Sequence, residues 1–383
     1  MFAKKGSGEM KYRLVYTIIL AQALIINNCI SQTNTTVNAI TTNDSNNIAP
    51  RVIIITDFPP LDVIAGKGGK PGDPLDKLSD PDDVQSMVRF LLYSNELDVE
   101  ALIAAAGTFA NIARKQNLLD MIDLYEQVQP NLAKHDPRYP TADKLRSVTW
   151  QGLDGTLGTE DFAERKYRPI ESLIGPEFDT EASDAIIRVI DKPDPRPVWV
   201  CVWGGPHALA QAIWKVQNTR TPEEVDTFTS KIKIFMILKQ DYTAEWLLEN
   251  FPKMLIITSM KNYMGMFWNS GNFKTELVDS AWTNKNIREG HGPLGAAYPR
   301  SGWDPEAPGI WEGDTPSFLH IISGLRGLND PDKPDQAGWG GKFIRTDSTK
   351  NHWVDDPMGP KAVYMWRAYY QEEFKKRADR MLP

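Results

Sequence analysis

Short apolar runs alternate with longer amphipathic segments along most of the chain, and this alternation constrains the fold more than any other feature. Runs with the length and composition of strands occupy residues 51–57, 99–105, 198–202, 232–238 and 254–258. Segments with helical periodicity begin at Asp80 and occupy residues 111–127, 206–216 and 243–250. Because strands that alternate with helices form parallel sheets, the sequence predicts an α/β fold. We expect a doubly wound, mostly parallel sheet with helices on both faces.

The first apolar run carries the strongest strand signal. Residues 51–57 read Arg-Val-Ile-Ile-Ile-Thr-Asp, which is apolar on both faces, as in a strand buried inside a parallel sheet. Ligands of such sheets bind at the carboxyl ends of the strands, and this run ends in Asp57. A loop rich in Gly and Pro, residues 58–79, separates the run from the helix that begins at Asp80.

Composition narrows the range of partners. The 383 residues are 41% hydrophobic and 24% charged, as in ordinary globular proteins, and the net charge is −7. The sequence has no basic stripe of the kind that lines a nucleic-acid groove, so nucleic acid is not predicted as a partner. A mildly acidic surface suits neutral sugars and divalent cations better. Residues 50–383 are predicted to form one domain, and the sequence sets no oligomeric state.

The N-terminal residues have the pattern of a signal peptide. Lys11 and Arg13 precede an apolar run, residues 14–26, which is short for a membrane span. Small residues up to Ser31 indicate cleavage there, so residues 1–31 are predicted to be removed and residues 32–49 to form a flexible linker. The predicted location is secreted or periplasmic, with no transmembrane partner.

Two other readings of this segment stay open. Cys29 could carry a lipid anchor, although the preceding Asn27 and Asn28 fit a lipoprotein signal poorly. The apolar run could also remain as an uncleaved anchor. After cleavage Cys201 would be the remaining cysteine, which excludes a disulfide within the chain, and its apolar surroundings predict a buried core residue.

Acidic residues mark the ends of several predicted elements. Asp57 ends the first strand, Asp82 and Asp83 begin the next helix, and Asp314 begins an apolar helix over residues 317–322. If the first strand is central, these acids converge at one edge of the sheet. Oxygen ligands in that number suit Ca²⁺ better than Zn²⁺, which prefers His and Cys. The alternative is that these acids are helix caps.

Several motifs in a consistent order resemble one protein family. The run 51–57 followed by Asp82-Asp83 resembles the acidic signature of nucleoside hydrolases with a loop inserted in it. Residues 80–95, Asp-Pro-Asp-Asp-Val-Gln-Ser-Met-Val-Arg-Phe-Leu-Leu-Tyr-Ser-Asn, are closer to the nucleoside-hydrolase-like domain of the cellulose-binding Sde182-type proteins. The resemblance covers roughly residues 50–382, and further matching segments occupy residues 203–207, 250–252, 291–294, 312–319 and 339–341.

The resemblance implies roles for five residues. Asp57 corresponds to the aspartate that binds calcium and activates water. Asp83 and Asp314 correspond to further calcium carboxylates, and Trp203 falls where a backbone carbonyl binds the metal. Asp82 corresponds to the aspartate that hydrogen-bonds sugar hydroxyls.

The chain departs from the family pattern on the other side of the implied site. Thr108 stands where the family has an asparagine that contacts the sugar, and Gly313 stands where many nucleoside hydrolases have a histidine that helps the base depart. Glu245 and Asn250 are the candidates for holding the far end of the sugar. This altered leaving-group side puts nucleosides in doubt as substrates.

Histidines and tryptophans supply further candidates. His207 and His291 are possible general acids, although a lone histidine is more often structural. Tryptophans in or near Gly/Pro-rich loops could stack on sugar rings at a cleft rim, although most tryptophans only pack. The tryptophans considered are Trp150, Trp246, Trp303, Trp311 and Trp339.

The function implied by the resemblance is calcium-dependent hydrolysis of an N- or O-glycosidic bond. The substrate would be an extracellular saccharide or a nucleoside-like molecule, and secretion favours the saccharide. A rival from another class is a non-catalytic carbohydrate-binding protein on the same scaffold. A phosphoesterase is disfavoured because the sequence has neither a histidine cluster nor a phosphate-cradling glycine loop.

Overall fold

The fold is built on an eight-stranded sheet in which the first strand of the chain lies near the centre. The computed structural model describes residues 49–74, 76–109, 113–154 and 169–383. The predicted signal peptide, Cys29 and the linker up to residue 48 lie outside these ranges. The described residues belong to one unit, Ala49–Pro383.

The strand order confirms the predicted doubly wound sheet. Along the sheet it is β5-β4-β1-β6-β7-β8-β10-β9, and every neighbouring pair is parallel except β10 and β9. The strands are β1 (Arg51–Thr56), β4 (Asp98–Ala104), β5 (Thr149–Gln151), β6 (Val198–Val202), β7 (Ile232–Ile237), β8 (Leu255–Ser259), β9 (Phe343–Ile344) and β10 (His352–Asp355). Two short strands in the loop after β1, β2 (Ile64–Ala65) and β3 (Leu78–Ser79), form a separate small parallel sheet.

Helices cover both faces of the large sheet, which explains why β1 is apolar throughout. Val52 and Ile54 enter one buried core, whereas Ile53 and Ile55 enter the other. The first core is closed mainly by α1 (Asp82–Tyr93), α2 (Lys115–His135), α10 (Thr315–Leu325) and α12 (Arg367–Asp379). The second core is closed mainly by α4 (Glu181–Asp191), α5 (His207–Thr219) and α7 (Tyr242–Asn250).

The remaining helices are shorter and connect these layers. They are α3 (Ala142–Ser147), α6 (Pro222–Ser230), α8 (Ser280–Thr283), α9 (Gly292–Ala296) and α11 (Lys361–Tyr364). Single turns of 3₁₀ helix occur at Gly66–Gly68, Ser94–Glu96 and Ile170–Ser172, a longer one at Asn262–Met266, and a π-helical turn at Asn284–Arg288. In the described part of the chain, every helix is too short or too polar to span a lipid bilayer.

Cys201 lies in β6 and is fully buried, which confirms the prediction of a core cysteine. Burial raises the pKa of its thiol to about 12, because the thiolate would lose its hydration. We therefore assign it a packing role.

Candidate functional site

The loops that follow the central strands meet at the carboxyl edge of the sheet. Asp57 follows β1 directly, Trp203 follows β6 directly, and Gln240 lies shortly after β7. Strands β4 and β5, which follow β1 in the chain, lie on one side of it, and the later strands β6, β7 and β8 lie on its other side, so the strand order reverses at β1. The crevice at such a switch point is where open α/β sheets bind ligands.

A cavity of about 170 Å³ occupies this position. One wall is acidic and is formed by Asp57, Asp80, Asp82, Asp83 and Asp314. The remaining lining is mainly aromatic and comprises Phe109, Trp203, Tyr263, Phe267, Trp303 and Trp311, with Ile237, Leu238 and Gln240. Among the described residues that line the cavity, none carries a basic side chain.

The acids come from distant parts of the sequence. Asp82 and Asp83 form the first turn of α1, and Asp314 directly precedes α10. One carboxylate oxygen from each of these three residues lies within 4.8 Å of the others. Asp57 is almost fully buried and faces the same cavity from the end of β1. The structure therefore brings together all four acids singled out in the sequence.

Neighbouring groups donate hydrogen bonds to two of the carboxylates, whereas a third has an oxygen atom without a hydrogen-bond partner in the described ranges. Thr56 Oγ1 donates a hydrogen bond to Asp83 Oδ1, and the backbone N–H of Gly313 donates to Asp82 Oδ2 at 3.2 Å. Asp314 Oδ2 is buried and has no hydrogen-bond partner among the described residues. A buried carboxylate oxygen without a partner is costly unless a ligand completes it.

The electrostatics of the acidic wall indicate uncompensated negative charge. Burial, followed by repulsion from neighbouring carboxylates, raises the pKa of Asp82, Asp83 and Asp314 well above the ordinary value. Burial also raises the pKa of Asp80 to about 7, with a smaller contribution from Asp57. Carboxyl groups in this state favour a proton or a cation as a partner. Several hard oxygen atoms on one wall fit a divalent ion such as Ca²⁺.

The backbone carbonyl of Trp203 accepts a hydrogen bond from a side chain in the loop after the neighbouring strand β7. Gln240 Nε2 donates to Trp203 O, and Gln240 Oε1 accepts from the backbone N–H of Thr108 at 2.9 Å. Leu238, which begins the turn toward Gln240, has a φ of +63°. This left-handed conformation costs a non-glycine residue about 1 kcal/mol or more. Strain of this kind is common at functional sites.

A buried ion pair supports the acidic wall from behind. Arg89 of α1 contacts Glu312 through Nη2 at 3.0 Å, and both side chains are fully buried. Tyr298 and Thr315 also donate to the Glu312 carboxylate, at 2.6 and 2.8 Å. Gln85, one turn earlier on α1, accepts from the backbone N–H of Trp311 at 2.7 Å. These bonds fix the segment that carries Asp314 to the helix that carries Asp82 and Asp83.

The aromatic wall consists of rings that pack on one another. Tyr263 packs edge-on against Phe267, with ring centroids 5.6 Å apart, and Phe267 packs against Trp311 at 5.0 Å. On the other side Phe109 lies edge-on to Trp303 at 6.2 Å. Ligand pockets are typically lined by apolar and aromatic side chains with a few polar groups that orient the ligand, and the aromatic and acidic walls together have this composition.

The loop inserted after β1 packs against this wall. A Cβ placed at Gly66 would lie 2.6 Å from the Trp303 ring, and one at Gly68 would lie 2.6 Å from Pro305. Lys67, between the two glycines, forms an ion pair with Asp304. The glycines therefore allow the inserted loop to approach the Trp303 segment closely.

Comparison with known proteins identifies the family. Residues 75–343 match the nucleoside-hydrolase-like domain of cellulose-binding Sde182. A solved structure of a nucleoside hydrolase-related protein from Saccharophagus degradans, associated with carbohydrate metabolism, is 30% identical, with a TM-score of 0.67. The alignment covers 88% of this chain and 72% of that one. The chain belongs to the Sde182 nucleoside-hydrolase-like family.

More distant structures are also similar. The effector protein XOO4466 is 12% identical with a TM-score of 0.47, over 88% of this chain and 95% of that one. The plant nucleoside hydrolase PpNRh1 is 14% identical with a TM-score of 0.43, over 87% of this chain and 99% of that one. A search of curated proteins finds no match.

In this member of the Sde182 family, the geometry explains the glycine at position 313. A Cβ at Gly313 would lie 2.7 Å from Asp82 Oδ2 and 3.4 Å from the Tyr263 ring. The Asp82 carboxylate therefore occupies the space next to the Gly313 Cα, whereas the Tyr263 ring lies at an ordinary contact distance. Any side chain larger than that of glycine at this position would require the Asp82 carboxylate to move.

Two predicted contact residues lie beside the cavity without lining it. Thr108 is buried, and its Oγ1 donates to the backbone carbonyl of Gln240 at 2.6 Å. His207 is also buried, and its Nδ1 lies 3.0 Å from Asp241 Oδ2. Both therefore contact the Gln240–Asp241 loop, and neither is among the described cavity-lining residues.

Three other predicted contacts need correction because the structure does not bring them to the acids. Asn250 ends α7 and lines a separate groove at the amino ends of β7 and β8, and Trp246 packs against Phe251. His291 Nε2 lies 3.1 Å from Asp379 on α12. Glu245, considered with Asn250, lies 3.7 Å from Lys239 and is not among the described lining residues.

Among the tryptophans considered, Trp303 and Trp311 line the cavity. Trp150 lies under the cations of Lys115 and Arg188, and Trp339 packs against Tyr370. The cavity is also lined by residues that sequence analysis did not assign to the site, among them Asp80, Gln240, Tyr263 and Phe267. Asp80 had a usable signal, since it belongs to the same acidic run as Asp82 and Asp83.

Proposed function

We propose that this protein is a calcium-dependent hydrolase of a glycosidic bond in an extracellular saccharide or nucleoside-like molecule. The observation that carries the proposal is the acidic wall. Buried and half-buried carboxylates converge there at the switch point of the sheet without a basic partner in the described lining, and aromatic rings line the same cavity. Membership in the Sde182 family supports a carbohydrate ligand.

The residues present fit a calcium ion. Asp57, Asp83, Asp314 and the Trp203 carbonyl would hold it, and the buried Asp314 Oδ2 would gain a partner. When bound, Ca²⁺ supplies positive charge that lowers the pKa of a coordinated water and neutralises the acidic wall. This assignment leaves Asp82 for the sugar, although Asp82 also lies within the tight acidic group.

The side chains then have distinct tasks in the proposed reaction. Asp57 accepts the proton of the attacking water as general base. Asp82, oriented by the Gly313 N–H, accepts hydrogen bonds from sugar hydroxyls. The developing positive charge on the sugar ring is stabilised by the nearby carboxylates, because the transition state of glycoside cleavage resembles an oxocarbenium ion.

The size and lining of the cavity favour a saccharide over an ordinary nucleoside. About 170 Å³ is well below the range of about 300–1,000 Å³ typical of pockets for larger ligands, so the enclosed part suits one sugar ring. Gly313 offers no leaving-group acid for a base. We therefore expect inosine and uridine to be poor substrates, turned over more slowly than about 1 per second.

A second candidate function is carbohydrate binding without catalysis. Gly313 favours it, because the described lining contains no histidine that could protonate a leaving group. The name of the family, cellulose-binding, is also compatible with it. The retained Asp57, Asp82 and Asp83 favour catalysis instead. In either case we propose a secreted or periplasmic location, based on the N-terminal sequence.

A calcium-dependence experiment tests the proposal. Melting curves in saturating Ca²⁺ and in EDTA should differ, because a ligand that binds only the folded state stabilises it. Identical curves would exclude the metal site. A screen of nucleosides and of plant and algal glycans, with and without EDTA, then separates hydrolysis from binding through the release of reducing sugar or free base.

Two neighbouring variants test the division of roles in the acidic wall. Asp83→Asn should weaken calcium binding markedly, since an amide is a poorer ligand than a carboxylate. Asp82→Asn should leave calcium affinity nearly intact and abolish sugar turnover or binding. Equal behaviour of the two variants in a calcium titration would contradict the assignment and favour simple helix-capping roles.

A further inference from the structure

Gln240 connects the loops that form the cavity, and no role for it follows from the family resemblance. It is 4% exposed and lines the cavity, as do Trp203 and Leu238. Its side chain bonds to the loop after β6, and both its side chain and its backbone bond to the loop after β4. A single residue in the loop after β7 is thus bonded to the loops that follow two other strands.

The hydrogen bonds define the orientation of the Gln240 amide. The backbone N–H of Thr108 can only donate, so the amide atom that faces it at 2.9 Å is the oxygen. The nitrogen must then face Trp203 O, which can only accept. Because its oxygen is already engaged, the amide is suited to directing the Trp203 carbonyl rather than to binding a cation itself.

Close packing around Gly107 places this amide beside Asp57. A Cβ at Gly107 would lie 2.4 Å from both Gln240 Oε1 and Asp57 Oδ2. A Cβ at Gly204 would lie 2.9 Å from the Asp57 backbone nitrogen. The glycines thus leave room for Asp57 and the Gln240 amide, so a displaced amide would disturb the acidic wall.

The backbone on both sides of Gln240 is fixed. Leu238, in its left-handed conformation, donates from its N–H to the Ser259 carbonyl at 2.9 Å. Asp241 accepts from the backbone N–H of Thr243 at 2.8 Å and so caps α7. The loop therefore presents Gln240 in one position.

We propose that Gln240 is a positioning residue that aims the Trp203 carbonyl into the acidic cavity and thereby sets its affinity for calcium. This inference rests on the proposed function for the identity of the cation. It predicts that the donor end of the amide matters for calcium, whereas the acceptor end matters for the Thr108 loop.

Two substitutions separate these ends. Gln240→Glu keeps an acceptor for Thr108 N–H but turns two oxygen atoms toward each other at the Trp203 carbonyl. Gln240→Met removes both hydrogen bonds at similar length and adds no charge. Gln217→Glu, at an exposed position near the end of α5, is the matched control for the change in charge.

Calcium affinity is measured by calorimetry with CaCl₂ alone. We expect Gln240→Glu and Gln240→Met to raise the Kd for calcium by about tenfold or more, and Gln217→Glu to leave it unchanged. If Gln240 instead bound the ion directly or acted only through its electrostatic potential, the negative charge added by Gln240→Glu would tighten calcium binding. Equal or tighter binding by Gln240→Glu, or normal binding by Gln240→Met, would overturn the inference.

Amide hydrogen exchange in EDTA supplies a readout without metal. The segment after β4 that contains Thr108 should lose protection in Gln240→Met and keep it in Gln240→Glu. Equal protection in the wild type and both variants would overturn the link to Thr108. If the three proteins show this pattern of protection but the wild type binds no calcium, the result contradicts the proposed function and leaves the hydrogen-bond network confirmed. If Gln240→Glu does not fold, Gln240→Met carries both measurements.

Discussion

Glu312 and Asp314 are two acids in one short segment, but only the first has a counter-charge and a full set of hydrogen-bond partners in the described part of the chain. Both are buried. Glu312 is paired with Arg89 and accepts hydrogen bonds from Tyr298 and Thr315. Asp314 lies among other carboxylates, and its Oδ2 has no hydrogen-bond partner in the described ranges.

The difference separates structural from functional charge. A buried acid whose partners are supplied by the chain contributes to the fold, and the fold needs nothing further there. A buried acid left incomplete in a cavity destabilises the empty protein and favours a ligand that completes it. Substitution of Glu312 should therefore lower stability with or without calcium, whereas substitution of Asp314 should lower it only when calcium is present.

The largest effect is expected at the paired acid. Glu312→Gln should lower the free energy of unfolding by about 3 kcal/mol or more, because it leaves the Arg89 guanidinium buried without a counter-charge. Urea unfolding in EDTA and in calcium should give a similar loss. A loss below about 1 kcal/mol would remove the contrast on which the comparison rests.

Asp314→Asn should show the reverse pattern. In EDTA it should leave stability unchanged or raise it by about 1 kcal/mol, because it removes buried repulsion among carboxylates. It should also remove the stabilisation by calcium, about 2.7 kcal/mol in the wild type at 100 times the Kd. Asp335→Asn, at an exposed acid, is the control and should change neither quantity. Calcium stabilisation that survives in Asp314→Asn would contradict its role as a ligand.

Acidification should stabilise the metal-free protein at mildly acidic pH. Folding raises the pKa of Asp80 to about 7 and the pKa of Asp82, Asp83 and Asp314 in the same direction. A group whose pKa is raised by folding loses its stabilising contribution as pH rises through the folded pKa. Unfolding free energy in EDTA should therefore increase by about 1 kcal/mol between about pH 8 and pH 6.

The sign reverses for calcium. Protonated carboxyls do not bind the metal, so calcium affinity should fall over the same pH interval. The two trends can be measured on one protein by denaturation and by calorimetry. If the unfolding free energy in EDTA falls on acidification between about pH 8 and pH 6, the negative charge of the acidic wall must be balanced by other groups of the protein.

The smallest effect is expected at Gly313. Gly313→Ala should lower stability by about 1 kcal/mol or less, because the new methyl group displaces the Asp82 carboxylate rather than the backbone. Calcium affinity should change less than about threefold, since Asp82 is not one of the proposed metal ligands. A calcium defect as large as that of Asp314→Asn would place Asp82 in the metal set, with which it already shares the tight acidic group.

The sequence predicted the parts of the fold and site that depend on local patterns. Strand β6 has the predicted bounds. Strands β1 and β7 begin at the predicted residue and end one residue before the predicted end. The acids were found because they directly follow a strand or begin a helix. Parallel topology then determines that these positions share one edge of the sheet.

The remainder depends on tertiary structure that a local pattern does not contain. Tyr263 lies in the short 3₁₀ helix Asn262–Met266 and Phe267 directly follows it, so their spacing gave no signal of a cavity wall. Asn250 was a candidate for holding the far end of the sugar because of the family resemblance, and Trp246 was a candidate for stacking on a sugar ring; both lie on α7. That helix spans nine residues, or about 13 Å, and carries its last turn to the opposite edge of the sheet. Strand β5 has only three residues and so gives little signal, whereas helix α4 has a clear apolar face of Ala182, Ile186, Val189 and Ile190 that the sequence analysis overlooked.

The strand order also has a consequence for how the protein folds. Strand β1 pairs with β6, which is made much later in the chain, and Asp82 meets Gly313 across a sequence separation of 231 residues. Contacts of such long range close large loops and form slowly, so the acidic wall is complete only when the whole sheet is assembled. Calcium binding that requires this wall would leave the refolding rate unchanged and would slow unfolding, which would make the ion a kinetic lock on the finished fold.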